Sequence, residues 1–78
     1  MIQHELDARR MLCPMPVIRT QDAIAKLNKG DILEVICTDP GALNDIPAWC
    51  RINGHHVIAT SENDDEITIK IEVYGLES

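Results

Sequence analysis

The 78-residue sequence predicts an α/β fold: a two-layer sandwich with two helices on one face of a mixed four-stranded sheet. Four short segments have the apolar or alternating pattern of strands, and two have the amphipathic pattern of helices. They follow one another in the order β-α-β-α-β-β. Strands joined through a helix pair in parallel by right-handed crossovers, whereas the last two strands form an antiparallel hairpin. Two helices on one face of that sheet give two layers.

The first half of the chain supplies two strands and a helix. Residues 2–7 alternate like a short strand, and residues 8–13 form a loop. Pro14 suits the first turn of a helix that extends to about residue 28. Backbone N–H groups in the first turn have no acceptor within the helix, so proline loses no hydrogen bond there. The next strand, 31–38, is almost continuously apolar, which predicts a central strand with little solvent on either face. One side of this first helix is apolar and carries Val17, Ala23, Ile24 and Leu27. Gly30 follows the helix as a C-terminal cap.

The second half supplies a helix and a hairpin. After a turn at 39–41, a helix over 42–53 carries the apolar stripe Ile46, Trp49 and Cys50. Pro47 predicts either a position near the first turn or a local distortion. The hairpin consists of strands 55–61 and 66–73 around a polar turn at 62–65, and residues 75–78 form a tail.

Composition limits what the chain can do. With 78 residues it is expected to be one domain, 1–78, with a modest core and no deep substrate chamber. Aromatic residues are limited to Trp49 and Tyr74, so no base-stacking platform is predicted. The net charge of −6 also argues against direct binding of nucleic acid, which needs clustered Lys and Arg.

Positive charge is concentrated in one segment. Residues 8–20 contain Arg9, Arg10 and Arg19 and no acidic residue, which gives +3 and leaves −9 for the rest of the chain. This segment also contains Cys13. The three arginines are therefore candidates for a partner-docking patch.

Cysteine content and hydropathy predict the compartment. An odd number of cysteines, three, fits reduced thiols better than a disulfide scaffold. No signal peptide is recognisable, and no apolar run approaches the ~20 residues of a membrane-spanning helix. We expect a cytoplasmic protein without a membrane partner.

The strongest candidate for chemistry is the segment Cys13-Pro14-Met15-Pro16. A cysteine just before a helix lies where free backbone N–H groups and the positive end of the helix dipole stabilise a thiolate, the nucleophilic form. Pro14 and Pro16 would fix the chain there. The alternative is a small hydrophobic residue at the start of a helix, and composition alone leaves both open.

Further motifs extend this one along the chain. In order they are Leu6-Asp7, Cys13-Pro14-x-Pro16, Gly30, Asp39-Pro40, Asp45-Ile46-Pro47 and Gly54-His55. With these motifs at these spacings, the sequence resembles the TusA family of small sulfur-carrier proteins, also called SirA-like. The resemblance runs from the first strand to the third.

The resemblance implies a specific activity. Cys13 would be the catalytic residue of a sulfurtransferase and would carry sulfur as a persulfide. A donor such as a cysteine desulfurase or a rhodanese would supply the sulfur, and a cysteine of an acceptor protein would take it, without a cofactor. Members of the family serve tRNA thiolation, molybdenum-cofactor supply or sulfur oxidation. The implied strand order is 1-2-4-3.

Two positions depart from the family pattern. Arg10 stands where members often have glycine, three residues before the cysteine, so Arg10 would be strained if that glycine has positive φ. Leu12 stands where polar residues also occur. These departures bear on loop shape and partner choice and leave the thiol chemistry in place.

The remaining candidates have structural explanations. Cys37 and Cys50 are expected in the core, and His55 and His56 at a polar strand start. No C-x-x-C or H-x-x-x-H pair is present, so no metal site is predicted. Two other functions remain as alternatives: a non-catalytic regulatory or RNA-interaction module, and a thiol redox protein, which would need a second cysteine near Cys13.

Overall fold

A computed structural model of the chain describes residues 3–12 and 15–74. The predicted order of elements is confirmed, with shifts of one or two residues at most boundaries. Predictions for Ile2, Cys13, Pro14 and the tail 75–78 lie outside the described residues. The elements are β1 (Gln3–Ala8), α1 (Met15–Ile24), β2 (Ile32–Cys37), α2 (Ala42–Ile52), β3 (His56–Asn63) and β4 (Glu66–Glu72).

The four strands form one sheet in the order β1-β2-β4-β3, as the family resemblance implied. β1 is parallel to β2, with Ala8 opposite Cys37, and β4 is antiparallel to both of its neighbours. The carboxyl ends of β1 and β2 therefore lie at the same end of the sheet as the β3–β4 turn. We call this the loop end; both helices also begin there.

Only one face of the sheet is buried. Along β2, Leu33, Val35 and Cys37 are buried, whereas the residues between them remain half-exposed. The prediction of little solvent on either face of this central strand is thus wrong. Both helices pack on one side, and the apolar residues on the other side are left half-covered. The buried face of β4 consists of Ile67, Ile69 and Ile71.

Helix α1 is shorter than predicted. It ends at Ile24 rather than near residue 28, and the chain continues in tighter turns in which Leu27 N–H donates to the Ile24 carbonyl, 3.0 Å away. Gly30, with φ of 97°, lies beyond these turns. Its N–H donates to the Val73 carbonyl at 2.7 Å, so Gly30 closes the connection to β2 and does not directly follow the helix.

The apolar face predicted for α1 is confirmed in part. The predicted Ile24 is buried, and Val17, Ala23 and Leu27 are partly buried against the core, whereas the prediction missed the buried Pro16 and Thr20. Thr20 can be buried because its Oγ1 donates a hydrogen bond to the Pro16 carbonyl, 2.8 Å away. A polar residue can therefore lie on the core face without an unsatisfied hydroxyl.

Helix α2 contains Pro47 as its sixth residue, beyond the first turn. Since proline has no N–H, Pro47 cannot donate to the Leu43 carbonyl, yet the helix continues without a break to Ile52. The predicted apolar stripe is confirmed, because Ile46 and Cys50 are fully buried and Trp49 packs against the core.

His55 is part of the core edge and not a polar strand start. It is only 8 % exposed, stacks on Trp49 with ring centroids 5.4 Å apart, and precedes β3 by one residue. Its Nδ1 accepts a hydrogen bond from the Tyr74 N–H at 3.2 Å. This bond satisfies a ring nitrogen that burial would otherwise leave unpaired.

Candidate functional site

Cys13 and Pro14, the centre of the predicted site, lie outside the described residues. Their neighbours on both sides are described. The Met15 N–H donates to the Leu12 carbonyl at 2.8 Å, and α1 begins at Met15. A helix exposes unpaired N–H groups and the positive end of its dipole at its first turn. Cys13 therefore precedes such a turn by two residues in sequence.

Pro16 anchors this first turn of α1. Its side chain is fully buried, and its carbonyl accepts the Thr20 hydroxyl bond. Since Thr20 is also fully buried, both residues attach the start of the helix to the sheet. The sequence predicted Pro16 as a supporting residue, whereas it missed Thr20, which an i, i+4 spacing from Pro16 would have indicated.

Arg10 adopts the left-handed conformation, with φ of 69°. A residue with a Cβ is disfavoured there, and glycine is the usual occupant. The Arg10 N–H donates to Oγ1 of Thr38 at 2.8 Å. The loop after β1 is therefore fixed to the segment after β2, and the strain anticipated at Arg10 is present.

Arg9 is fully engaged within the molecule. Its Nε and Nη2 contact the two carboxylate oxygens of Asp7 at 2.9 and 3.1 Å, and its Nη1 lies 3.2 Å from Oε2 of Glu66. These hydrogen bonds lower the pKa of Asp7 to about 2 and raise the pKa of Arg9. The guanidinium links the end of β1 to the beginning of β4.

The three predicted docking arginines are thus not equivalent. Arg10 and Arg19 are exposed, and neither forms an ion pair with any residue in 3–12 or 15–74. The local charge count missed the compensation at Arg9. Asp7 lies one residue before the segment whose charges were counted. Glu66 lies close to Arg9 only because the strand order places the beginning of β4 near the end of β1.

Carboxylates also lie at the loop end. Asp39 accepts a hydrogen bond from the Gly41 N–H at 3.1 Å, where α2 begins. Asp64 and Asp65 form the turn between β3 and β4 at the same end of the sheet. The site is therefore a mixture of cations and carboxylates and not a uniformly positive surface.

Cys37 and Cys50 lie in the core, as predicted. Both are free thiols with no exposed surface. Burial raises the pKa of Cys37, with a smaller contribution from Asp39, and burial raises the pKa of Cys50 to about 12. A buried thiol with a raised pKa is a poor nucleophile, because the thiolate is the reactive form.

The described ranges contain no group of three or more His, Cys, Asp or Glu side chains arranged to hold a metal ion. They also contain no helix long and apolar enough to cross a membrane.

A family model described as Sulfurtransferase TusA matches residues 4–73. This chain belongs to the TusA family. It is 42% identical over 67 residues to a Bacillus subtilis protein named "Putative sulfur carrier protein YrkI", covering 86% of this chain and 89% of that protein. A Neisseria meningitidis protein named "Putative sulfur carrier protein NMA0882" is 39% identical over 67 residues, covering 86% of this chain and 90% of that protein.

A solved structure supports the fold of this TusA-family chain. The crystal structure of a SirA-like protein from Desulfitobacterium hafniense superposes with a TM-score of 0.80 and 26% sequence identity. The superposition covers 95% of this chain and 99% of the other. The sandwich architecture predicted from the sequence is confirmed.

Proposed function

We propose that this TusA-family protein is a sulfurtransferase that carries sulfur as a persulfide on Cys13. The observation that carries the proposal is the family match over residues 4–73, which includes the Cys13-Pro14-Met15-Pro16 motif. Two structural facts support it. Helix α1 begins within two residues of Cys13, and the other two cysteines are buried with raised pKa values.

The transfer is an exchange at sulfur. The Cys13 thiolate attacks the terminal sulfur of a persulfide on the donor protein. The bond from that sulfur to the donor cysteine breaks, a bond to Cys13 Sγ forms, and the donor cysteine leaves as a thiolate. An acceptor cysteine then attacks the same sulfur on Cys13. Neither step needs an external oxidant, reductant or cofactor.

The setting follows from the same proposal. Residues 1–78 act as one sulfur-carrier domain in the reducing cytoplasm, where the buried free thiols stay reduced. A cysteine desulfurase or a rhodanese-like protein is the donor, and a protein with a reactive cysteine is the acceptor. The pathway is sulfur trafficking of the kind that serves tRNA thiolation, molybdenum-cofactor supply or sulfur oxidation.

Docking charge belongs to the proposal as well. Of the predicted arginines, Arg10 and Arg19 are available to a partner, whereas Arg9 already binds Asp7 and Glu66. Charge reversal at Arg10 and Arg19 should slow transfer at low salt, because charge complementarity mainly accelerates association. Rates that do not change at low salt would exclude these two residues.

The test is sulfur loading followed by mass spectrometry. The reduced protein is incubated with a cysteine desulfurase and cysteine. We expect an intact mass increase of one sulfur atom, removal of the adduct by reductant, and peptide mapping of the sulfur to Cys13. A Cys13→Ser variant should keep its fold and take up no sulfur. Loading that persists in Cys13→Ser would overturn the assignment, and retained physiological activity in that variant would favour the non-catalytic interaction module.

A further inference from the structure

The first turns of α1 expose apolar side chains to solvent. Leu12 is 76 % exposed, Met15 is 38 % exposed and Ile18 is 42 % exposed. They are three residues apart, and the hydrogen bond from Met15 N–H to the Leu12 carbonyl joins Leu12 to the first turn. At 100° per residue, Met15 and Ile18 lie on the side of the helix opposite the buried Pro16 and Thr20. We call these three residues the apolar stripe.

Two cations border the stripe. Arg19 follows Ile18 directly, and Arg10 precedes Leu12 by two residues. Neither forms an ion pair with the rest of the described chain. Asp22, one helical turn beyond Ile18, ends the stripe. The surface therefore combines exposed apolar area with two arginines that form no ion pair within the described residues.

We propose that the apolar stripe, bordered by Arg10 and Arg19, docks a partner segment whose cysteine is flanked by apolar side chains and carboxylates. The proposal rests on the proposed function, because Cys13 lies in the sequence between Leu12 and Met15. A partner sulfur that reaches Cys13 must approach these residues. Apolar contacts supply affinity through buried area, and the partner's carboxylates match the two arginines.

A second copy of this chain fits the stripe less well. A two-fold symmetric contact over the stripe would bring the Arg19 residues of both copies to one interface, where like charges oppose association. Each copy also carries a net charge of −6. The complement of the stripe is therefore another protein.

The experiment measures how fast Cys13 selects among short peptides. Each peptide carries a central cysteine activated as its 2-pyridyl disulfide. The thiolate of Cys13 attacks the peptide sulfur, the peptide–pyridyl disulfide bond breaks, and pyridine-2-thione is released and followed by absorbance. One peptide flanks its cysteine with leucine and glutamate, one replaces leucine by serine, and one replaces glutamate by lysine. Peptide mapping verifies that the mixed disulfide forms at Cys13.

We expect the leucine–glutamate peptide to react about tenfold faster than either of the other two at low salt. Leu12→Ser and Ile18→Ser should reduce its advantage over the serine peptide several-fold. The matched control is Ile52→Ser. Ile52 is 75 % exposed and lies about 15 Å along α2 from the loop end, so this variant should keep the wild-type preference.

Three outcomes would overturn the proposal: equal rates for the leucine and serine peptides, an equal loss of preference in Ile52→Ser, or a concentration-dependent dimer that Ile18→Ser abolishes. Urea unfolding of each variant verifies that it folds. Desulfurase loading of wild-type Cys13 is measured separately. Normal loading with no peptide preference would refute the docking inference alone, whereas absent loading would refute the proposed function.

Discussion

The backbone N–H of Arg10 donates a hydrogen bond to Oγ1 of Thr38 across 2.8 Å. This bond joins the loop that leads to Cys13 with the segment that leaves β2. Because Arg10 has φ of 69°, the loop holds a side chain in a conformation that suits glycine. The hydrogen bond of the Arg10 N–H thus stabilises this loop conformation, whereas the left-handed backbone of Arg10 destabilises it.

Replacing Arg10 by glycine should stabilise the fold. An L-residue in the left-handed region costs roughly 1–2 kcal/mol, part of which is offset by the greater flexibility of glycine in the unfolded chain. We expect Arg10→Gly to raise the free energy of unfolding by about 0.5–1 kcal/mol. Urea denaturation measures this as a higher midpoint with an unchanged slope.

The matched control for that substitution is Arg10→Ala, which removes the guanidinium but keeps the Cβ. Its stability should stay within about 0.5 kcal/mol of wild type, as for an ordinary surface substitution. If alanine stabilises as much as glycine, the side-chain charge and not the backbone conformation is the source of the strain.

Removing the hydroxyl of Thr38 should weaken the same loop. Thr38→Val keeps the shape of the side chain but takes away the acceptor for Arg10 N–H, which should cost about 1 kcal/mol. Thr38→Ser keeps an acceptor and should lose less. Amide hydrogen exchange at Arg10 should be faster in the valine variant than in the serine variant, and equal rates would contradict the bond.

The fold could be predicted because its information is local. The alternation of apolar and polar residues over 66–73 and the apolar face of α2 each depend on neighbours along the chain. Both predictions were confirmed. The half-exposed outer face of β2 could not be predicted in the same way. An apolar run such as Ile32–Cys37 shows hydrophobicity on both faces, whereas their coverage depends on which side the helices pack.

The site was predictable only in part, for a similar reason. The resemblance to the family pattern indicated Cys13 as the reactive residue. The frequent glycine of that pattern at the position of Arg10 predicted backbone strain there. The ion pair between Arg9 and Glu66 joins residues that are 57 positions apart, so it depends on β4 beginning beside the end of β1 and β2. A count of charges along the sequence does not contain that proximity.

Acid should titrate the Asp7–Arg9 pair at an unusually low pH. The hydrogen bonds from Arg9 lower the pKa of Asp7 in the folded protein to about 2, against about 3.9 for an ordinary aspartate. A depressed folded pKa stabilises the fold above the unfolded value, and that contribution is lost as the pH falls from about 4 through about 2. Carboxyl NMR chemical shifts followed against pH should show Asp7 titrating with a midpoint near pH 2.

The variant that tests the cause is Arg9→Gln, which should return the pKa of Asp7 toward its ordinary value. Arg19→Gln is the matched control, because Arg19 forms no ion pair within the described chain. The pKa of Asp7 should be unaffected by that control. If Asp7 still titrates near pH 2 without Arg9, a different donor holds the carboxylate in its charged form.

Alkylation should distinguish Cys13 from the two core thiols. Burial raises the pKa of Cys50 to about 12 and also raises that of Cys37, and both side chains are inaccessible to reagent. For Cys13, the beginning of α1 and the cations Arg10 and Arg19 should lower the thiol pKa moderately below the ~8.5 of free cysteine, since exposed charges are screened by solvent. We expect iodoacetamide to label Cys13 alone in the folded protein, with a midpoint below that value, and all three cysteines in denaturant. Peptide mapping across a pH series measures both properties.

Labelling of Cys37 or Cys50 at the rate of Cys13 under native conditions would contradict their burial. A Cys13 midpoint at or above the pKa of free cysteine would contradict activation of the thiol by the helix.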